Sequence, residues 1–186
     1  LDARYLGMAV ATGRAPDSVL EIVQGLQRKH SLFDIEEALW TDMLNDGKDA
    51  LRHDLARRKL EELKLRRKAA ALKTIVDEFS RVSDRPPRDL DELVSSGLLQ
   101  ALPNDPLGGR FFLDSEGRVQ NTTLLDGAVE RRRNIVRQQI GAFSRQFGSY
   151  PQSLEEMVDK GVVPSIPSHP YPGKAWTYDP STGEVR

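Results

Sequence analysis

Few residues of this 186-residue chain have the types and spacing that chemistry requires. The absence of cysteine excludes disulfides, thiolate zinc sites, iron–sulfur clusters and cysteine nucleophiles. The three histidines, His30, His53 and His169, are far apart in the sequence and do not have the spacing of metal ligands. We therefore expect them at surface or loop positions. Glu92 and Glu156 each follow a short polar residue by three positions, a spacing that favours helix capping over catalysis. We therefore predict no catalytic residue, no metal or cofactor site, and no enzymatic activity.

A run of basic residues near the middle of the chain is the other feature with chemical potential. The net charge is only −1, yet residues 48–73 carry 10 basic and 4 acidic groups. Such a run can bind the phosphates of a nucleic acid, or an acidic protein or membrane surface. The basic side chains at its centre are Arg57, Arg58, Lys59, Lys64, Arg66, Arg67 and Lys68. Binding of a nucleic acid or an acidic surface through the basic helix 52–73 is therefore kept as an alternative function.

The same run has a simpler interpretation as the solvated face of a helix. Glu62 lies four residues from both Arg58 and Arg66, a spacing at which ion pairs contribute only about a few tenths of a kcal/mol. Aromatic residues are absent from 41–78, so no platform for base stacking accompanies the charge. We therefore expect no nucleic-acid partner.

An internal repeat organises the last two thirds of the chain. When the sequence is shifted by 64 positions, 71–112 aligns with 135–176, and 11 of the 42 pairs are identical. The identical pairs include Phe79/Phe143, Pro87/Pro151, Leu90/Leu154, Glu92/Glu156, Gly97/Gly161 and Pro106/Pro170. This self-similarity predicts two copies of one structural module.

Each copy has the same predicted order of elements. A helix stops before prolines, and a short helix follows with apolar residues at positions i, i+3 and i+4. Gly97 and Gly161 are placed to form left-handed C-caps of the short helices. Further prolines enforce an extended connection to a β-hairpin, whose first strand covers 110–113 in one copy and 175–178 in the other.

The two predicted hairpins need partners, because a lone two-stranded hairpin is marginally stable in water. We expect them to pair with each other or to pack on the helices. The aligned Phe112 and Trp176 should then bury their rings near Phe79 and Phe143. Trp176 and Tyr178 are also candidates for partner recognition, since an exposed aromatic residue on a strand is typical of a binding surface.

The N-terminal part is predicted to be helical. The sequence between Asp34 and about Val82 contains no proline and only one glycine, which predicts a long helix. The one place where we expect a break in this helix is 45–47. Residues 2–30 are predicted to form a helical hairpin. Their apolar pattern resembles the tetratricopeptide repeat at Leu6, Gly7, Val10, Val19, Val23 and Leu26. This resemblance implies the last repeat of an array truncated upstream, capping onto the long helix.

The duplicated module resembles a known family at a set of short motifs. The second copy contains Gly148-Ser149-Tyr150-Pro151, Leu154-Glu155-Glu156-Met157-Val158 and Ile166-Pro167, and the first contains Asp105-Pro106-Leu107-Gly108. They are similar to the Gly-x-Tyr-Pro, Leu-x-x-Leu-Val, Leu-Pro and Asp-Pro-x-Gly segments of type II secretion major pseudopilins and related type IV pilin-like proteins. The two copies cover about 115 residues.

The resemblance implies a periplasmic accessory protein that carries pilin-like modules on a helical-repeat scaffold. The hydrophobic N-terminal helix of a pilin and the acidic calcium loop of the pseudopilins have no counterpart here, so neither polymerisation nor calcium binding is carried over. Leu1 is not an initiator, and no apolar run is long enough to span a bilayer. We expect any signal or membrane anchor upstream, and a location in the periplasm or on a membrane facing it.

The sequence thus predicts an α+β protein, with a helical hairpin plus long helix followed by two repeated units of helix, short helix and β-hairpin. The predicted domains are a tetratricopeptide-like region (1–47), the long helix with the first pseudopilin-like module (48–122), and the second module (123–186). The predicted function is a non-catalytic protein–protein interaction scaffold of the bacterial envelope, associated with type II secretion or type IV pilus machinery and binding an unidentified protein partner.

Overall fold

The computed structural model describes residues 32–46 and 49–186, which form an α+β structure of helices and two small antiparallel hairpins. The predicted α+β class is therefore confirmed. The predicted helical hairpin over 2–30, with its tetratricopeptide-like pattern, lies outside the described residues. The chain divides into two compact units, the first ending at Thr74 and the second covering Ile75–Arg186.

The first unit contains helix α1 (Leu32–Asn45) and the beginning of helix α2 (Ala50–Ser83). The end of α1 confirms that the long helical stretch is interrupted close to 45–47. Leu39 and Trp40 of α1 form a buried cluster with Ala56 of α2. The Trp40 indole N–H also donates a hydrogen bond of 3.4 Å to Glu36 Oε1, so its polar atom keeps a partner beside the apolar cluster.

The second unit begins within α2 and continues through seven elements. They are helix α3 (Asp91–Ser95), strands β1 (Phe111–Leu113) and β2 (Val119–Asn121), helices α4 (Thr122–Phe147) and α5 (Leu154–Asp159), and strands β3 (Tyr178–Asp179) and β4 (Glu184–Val185). Long helix, short helix and hairpin therefore follow one another twice. That the two sets share one three-dimensional structure stays a prediction.

The predicted polar residue and glutamate both hydrogen-bond the backbone at the start of each short helix, although Ser153 is the N-cap residue of α5 whereas Leu90, which makes no side-chain capping bond, is the N-cap residue of α3. At α3, the Glu92 backbone N–H donates to Asp89 Oδ1 (2.9 Å), and Glu92 Oε2 accepts from the Arg88 backbone N–H (2.8 Å). At α5, the Glu156 backbone N–H donates to Ser153 Oγ (3.3 Å), and Glu156 Oε2 accepts from the Gln152 backbone N–H (2.6 Å). In each pair one bond satisfies a backbone donor in the first turn of the helix, and the other holds an amide of the segment that leads into it.

The short helices also end as predicted. Gly97 and Gly161 have φ values of +77° and +68°, a left-handed conformation that glycine adopts without the steric penalty of a Cβ atom. Their backbone N–H groups donate to the carbonyl oxygens of Val94 and Val158, which closes the last turn of each helix.

The two hairpins form separate two-stranded sheets, so within the described residues they do not pair with each other. In the first, Phe111 faces Asn121 and Leu113 faces Val119. In the second, β3 pairs with β4 at Tyr178 and Asp179, and two backbone hydrogen bonds of 2.9 Å between Thr177 and Arg186 continue the pairing by one residue. The predicted strand 175–178 therefore began too early, and Trp176 precedes the paired residues. The second hairpin instead packs on α4, the other predicted arrangement.

The prediction that Phe112 is buried was wrong, because the buried aromatic residue of the first hairpin is its neighbour Phe111. Phe111 is the buried residue, 7% exposed, whereas Phe112 is half-buried. The reason is visible at the hairpin turns, where the side chain of Asp114 or Asp179 accepts the backbone N–H two residues later, each at 2.9 Å. Trp176 lies three residues before Asp179, as Phe111 lies three residues before Asp114. Trp176 is therefore the equivalent of Phe111, because the second copy has one more residue before its hairpin turn.

The core of the second unit lies along α4. Val136, Ile140 and Phe143 of α4 are buried with side chains from α5 and β4, namely Leu154, Met157 and Val185. Trp176 and Tyr178 pack against this cluster from outside. The predicted position of Trp176 beside the group that contains Phe143 is therefore confirmed, but its ring is half-buried rather than buried as predicted. None of the described helices is both long and apolar enough to cross a bilayer.

Candidate functional site

The basic run lies on α2, where its inner arginines bind acidic residues of α1. Arg66 Nη2 contacts Glu36 Oε1 at 2.5 Å. Arg67 bridges two carboxylates, at 2.7 Å from both Asp34 Oδ1 and Glu37 Oε2. The acidic side chains come from a segment about thirty residues earlier, so the first unit places the opposite charges of two sequence regions together.

The other basic side chains of the run form ion pairs along α2 itself. The pairs are Arg57–Asp54 (3.2 Å), Arg58–Glu62 (3.6 Å), Lys59–Glu62 (2.7 Å) and Lys64–Glu61 (2.7 Å). Lys68 also interacts with neighbouring groups. The Arg57 and Arg58 side chains are mostly exposed, so their ion pairs contribute little to the stability of the fold. The paired carboxylates nevertheless offset part of the positive charge that a phosphate group would meet on this helix.

In the second unit, two cations from different sequence positions occupy comparable places beside the capping glutamates. Arg85 Nη2 donates to Glu92 Oε1 (2.5 Å), and its guanidinium lies 5.3 Å from the ring centre of Phe79. Lys160 Nζ lies 2.8 Å from Glu156 Oε1 and 5.3 Å from the ring centre of Phe143. Phe79 and Phe143 are aligned in the repeat, as are the two glutamates, whereas the cations are not.

These bonds explain the acidity of the capping glutamates. The Arg85 side chain, followed by the Arg88 backbone N–H, lowers the pKa of Glu92 to about 2. Lys160, followed by the Gln152 backbone N–H, lowers the pKa of Glu156. Both carboxylates therefore stay ionised and bonded near neutral pH. The recurrence of Glu92 and Glu156 in the sequence is explained by their hydrogen bonds at the helix start and by their pairing with a cation that lies over an aromatic ring.

A buried carboxylate fastens the first hairpin to the start of α4. Asp105 is 5% exposed, and its Oδ2 accepts from Asn121 Nδ2 (2.9 Å) and from the Thr123 hydroxyl (2.7 Å). Its Oδ1 accepts from the Leu107 backbone N–H (2.8 Å). Asn121 in turn caps α4 by accepting from the Leu124 backbone N–H. The carboxylate is thus surrounded by donors, as a buried charge requires.

His169 stands at the position of Asp105 in the second copy. Its Nδ1 accepts from the Tyr171 backbone N–H (3.1 Å), as Asp105 accepts from the amide two residues later. The imidazole makes an edge contact with the Trp176 ring, with centroids 4.8 Å apart. The Tyr171 hydroxyl donates to Asp126 Oδ1 (2.6 Å) on α4, and burial together with this contact raises the pKa of Tyr171 to about 12.

The two aromatic residues proposed for recognition use their polar atoms inside the second unit. Trp176 Nε1 donates to the Pro167 carbonyl (2.6 Å), and the Tyr178 hydroxyl donates to the Pro151 carbonyl (2.9 Å). Burial, followed by the negative charge of Asp179, raises the pKa of Tyr178. Both side chains are half-buried against the core, an arrangement typical of structural residues.

More strongly exposed apolar side chains lie close by, around the turn between α4 and α5. Phe147 and Tyr150 are each 41% exposed, and Val158 on α5 is 36% exposed. The Tyr150 ring rests against the backbone of Gly183, where an added Cβ atom would lie 2.7 Å from the ring. We call these three residues, Phe147, Tyr150 and Val158, the α4–α5 apolar edge.

The sequence interpretation missed the roles of Asn121, His169 and Tyr171. The shift by 64 positions aligns His169 with Asp105, so that signal was present. The contacts from Tyr171 to Asp126 and from Asn121 to Asp105 span 45 and 16 residues, and no local pattern encodes them.

Among the residues that the structure describes, no group of three or more acidic or histidine side chains is arranged to hold a metal ion. Comparisons of the chain with protein-family models, with curated proteins and with solved structures found no match. The functional interpretation therefore depends on the residues themselves.

Proposed function

We propose that this chain is a non-catalytic protein–protein interaction scaffold of the bacterial envelope, associated with type II secretion or type IV pilus machinery. The tandem modules supply the binding framework, and the α4–α5 apolar edge contacts the protein partner. The proposal further places the chain in the periplasm or on a membrane facing it, with any anchor contributed by a segment upstream.

One observation carries the proposal: the motif residues that resemble pseudopilins are the residues that close the second unit. Pro151 accepts from Tyr178, Pro167 accepts from Trp176, and Tyr150 packs on Gly183. The Tyr178 and Gly183 contacts join the segment between α4 and α5 to the terminal hairpin, and the Pro167 contact fixes the segment just before that hairpin. The motifs that resemble pseudopilins therefore have a folding role in this module, and the envelope role is inferred from that resemblance by analogy.

The chemistry of the other recurring groups supports a scaffold as well. Glu92 and Glu156 each accept a hydrogen bond from a backbone amide, so their recurrence follows from folding, and Asp105 is likewise held by the Leu107 backbone N–H. The α4–α5 apolar edge is different in its exposure: Phe147 lies against Phe143, with ring centroids 4.6 Å apart, and Tyr150 packs on Gly183, yet both side chains remain 41% exposed. Apolar groups of this kind are enriched at the centres of protein interfaces.

The location is tested with reporter fusions in the native bacterium. Alkaline phosphatase or β-galactosidase is joined after Arg186 of the full-length protein at its chromosomal locus. We expect phosphatase activity and little β-galactosidase activity, because alkaline phosphatase needs the disulfides that form in the periplasm. The reverse pattern would place the modules in the cytoplasm and contradict the proposal.

The alternative of nucleic-acid or acidic-surface binding through the basic helix 52–73 is tested by titration with DNA and RNA at increasing salt. Binding through phosphate contacts weakens steeply as the salt concentration rises. Because Arg66 and Arg67 bind carboxylates of α1, we expect no tight binding at physiological salt. A submicromolar affinity with a steep salt dependence would replace the scaffold proposal with this alternative.

A further inference from the structure

Two carboxylates of α5 lie beside the α4–α5 apolar edge. Glu155 and Asp159 are four positions apart, and Val158 lies on the same face because residues three and four positions apart are neighbours on a helix. Both acidic side chains are exposed. Within the described residues, neither side chain forms an ion pair or a hydrogen bond. The exposed Val158 is therefore flanked by two negative charges that have no partner in that part of the chain.

The cations that are close in sequence do not neutralise these two charges. Lys160 Nζ lies 4.8 Å from the ring centre of Phe147, but it is already paired with Glu156 Oε1 at 2.8 Å. Arg145 is two positions before Phe147 and so lies on a different side of α4. Its Nη1 lies 3.5 Å from the position of a Cβ atom added to Gly141. The exposed face of α5 thus keeps its negative charge next to apolar side chains.

The aromatic rings of the edge attract the same kind of group as the carboxylates. The face of an aromatic ring draws a lysine or arginine cation within about 6 Å of its centre. This chain uses such contacts internally, with Lys160 over Phe147 and with Arg85 at 5.3 Å from the ring centre of Phe79. Tyr150, 41% exposed, provides a further ring. Exposed rings and unpaired carboxylates together favour a partner that carries cations.

The first copy has the same order of elements without most of these residues. The shift by 64 positions aligns Phe147, Tyr150 and Asp159 with Ser83, Pro86 and Ser95. Long helix, short helix and hairpin nevertheless follow one another in both copies. Asp159 is moreover the last residue of α5, where the helix dipole disfavours a negative charge. Folding therefore does not account for this group of residues in the second copy.

We propose that the α4–α5 apolar edge, together with Glu155 and Asp159, binds a protein segment that carries lysine or arginine side chains beside an apolar one. The apolar side chain packs on Val158, and the cations meet the two carboxylates and the exposed rings. This inference rests on the proposed function, since it specifies the partner of the same edge. A nucleic acid or an acidic membrane is a poor occupant, because its phosphates would face the same two negative charges.

Two synthetic peptides test the charge of the partner in NMR titrations of the full chain. Both form amphipathic helices with the same leucine face, and the polar face carries lysine in one peptide and glutamate in the other. We expect the lysine peptide alone to shift the aromatic resonances of Phe147 and Tyr150. Its affinity should fall roughly tenfold in the double variant Glu155→Lys/Asp159→Lys, because like charges across an interface disfavour binding. The milder double variant Glu155→Gln/Asp159→Asn should lower the affinity by a smaller factor.

Asp91→Lys is the matched control for the charge reversal. Asp91 is exposed, aligns with Glu155 and lies in the first turn of α3, as Glu155 does in α5. This variant should bind the lysine peptide as the parent does. Equal binding of the two peptides, binding of neither peptide, or an unchanged affinity in both double variants would overturn the proposal.

The same variants in the native bacterium separate this inference from the proposed function. With a photoreactive phenylalanine analogue at position 150, we expect the crosslink to a secretion or pilus component to weaken in Glu155→Lys/Asp159→Lys and to persist in Asp91→Lys. A crosslink that is unchanged in the double variant would overturn the inference of a basic partner and leave the proposed function intact. Absence of the crosslink in the parent would instead contradict the proposed function itself.

Discussion

The Tyr178 hydroxyl donates a hydrogen bond of 2.9 Å to the carbonyl oxygen of Pro151, 27 residues earlier in the chain. This bond joins the terminal hairpin to the segment between α4 and α5, so the end of the second module is fastened to its middle. Pro151 is fully buried, which means that its carbonyl depends on Tyr178 rather than on water.

Tyr178→Phe should therefore destabilise the second unit by about 1–2 kcal/mol, because it leaves a buried carbonyl without its donor. Tyr150→Phe is the matched control, since the Tyr150 ring packs on Gly183 and its hydroxyl has no hydrogen bond within the described residues. Urea unfolding of both variants measures the difference. Equal midpoints for the two variants would show that the Tyr178–Pro151 bond contributes nothing.

A buried aromatic residue of the first hairpin gives the second prediction. Phe111→Ala should cost about 3–5 kcal/mol, because Phe111 is buried and its removal leaves a cavity. Phe112→Ala should cost clearly less, since Phe112 remains partly in contact with solvent. Thermal melts of the two single variants compare their losses of stability. A larger loss in Phe112→Ala than in Phe111→Ala would contradict the equivalence of Phe111 and Trp176.

Two glycines should respond to alanine with opposite signs. A Cβ atom at Gly109 would lie 2.5 Å from Asp105 Oδ2 and also against the Thr122 and Thr123 hydroxyls, so Gly109→Ala should destabilise by about 1–3 kcal/mol. Gly141, inside α4, has only Arg145 at 3.5 Å, so Gly141→Ala should stabilise by up to about 1 kcal/mol through helix propensity. Calorimetric midpoints measure both, and a destabilised Gly141→Ala would contradict the packing around α4.

Acid should destabilise the second unit below about pH 4, the range in which carboxyl groups of unfolded chains gain protons. Burial alone would raise the pKa of Asp114, but hydrogen bonds from the Arg118 backbone, Gln120 and the Arg118 side chain lower it to about 2. Glu92 is lowered to about 2 as well. A lowered folded-state pKa means stability that is present above the unfolded-state value and is lost as the pH falls towards the folded-state value.

Asp114→Asn tests this linkage, because it keeps one acceptor oxygen and removes the titration. Unfolding free energies measured between about pH 5 and pH 2.5 should fall less steeply in the variant than in the parent. Glu116→Gln is the control, since among the residues that the structure describes its carboxylate pairs with Arg118 alone, at the exposed turn. If Asp114→Asn has the same pH slope as the parent, the ionised carboxylate is not the source of the acid sensitivity.

Local signals in the sequence predicted the parts of the fold that local bonds determine. The spacing from Asp89 to Glu92 and the position of Gly97 predicted both ends of a five-residue helix, because capping involves residues three or four positions apart. The helix interruption close to 45–47 was also predicted from a local signal, the only glycine between Asp34 and Val82.

Contacts between distant segments were not predictable in this way. The pairing of Arg66 with Glu36 depends on how α1 packs on α2, and the bond from Asn121 to Asp105 depends on the path of the intervening hairpin. The shift from Phe112 to Phe111 arose because an alignment without gaps cannot detect one additional residue. The interaction partner is not encoded in any local pattern, so the proposed role depends on the resemblance of the modules.

Site-specific photo-crosslinking in the native bacterium tests the central proposal most directly. A photoreactive phenylalanine analogue replaces Tyr150 of the α4–α5 apolar edge in the full-length protein, and in a control it replaces the half-buried Tyr178. We predict a crosslink from position 150, and none from position 178, to a component of the type II secretion or type IV pilus machinery identified by mass spectrometry. Absence of any such component at positions 150, 147 and 158, with the protein present at normal levels, would contradict the proposal.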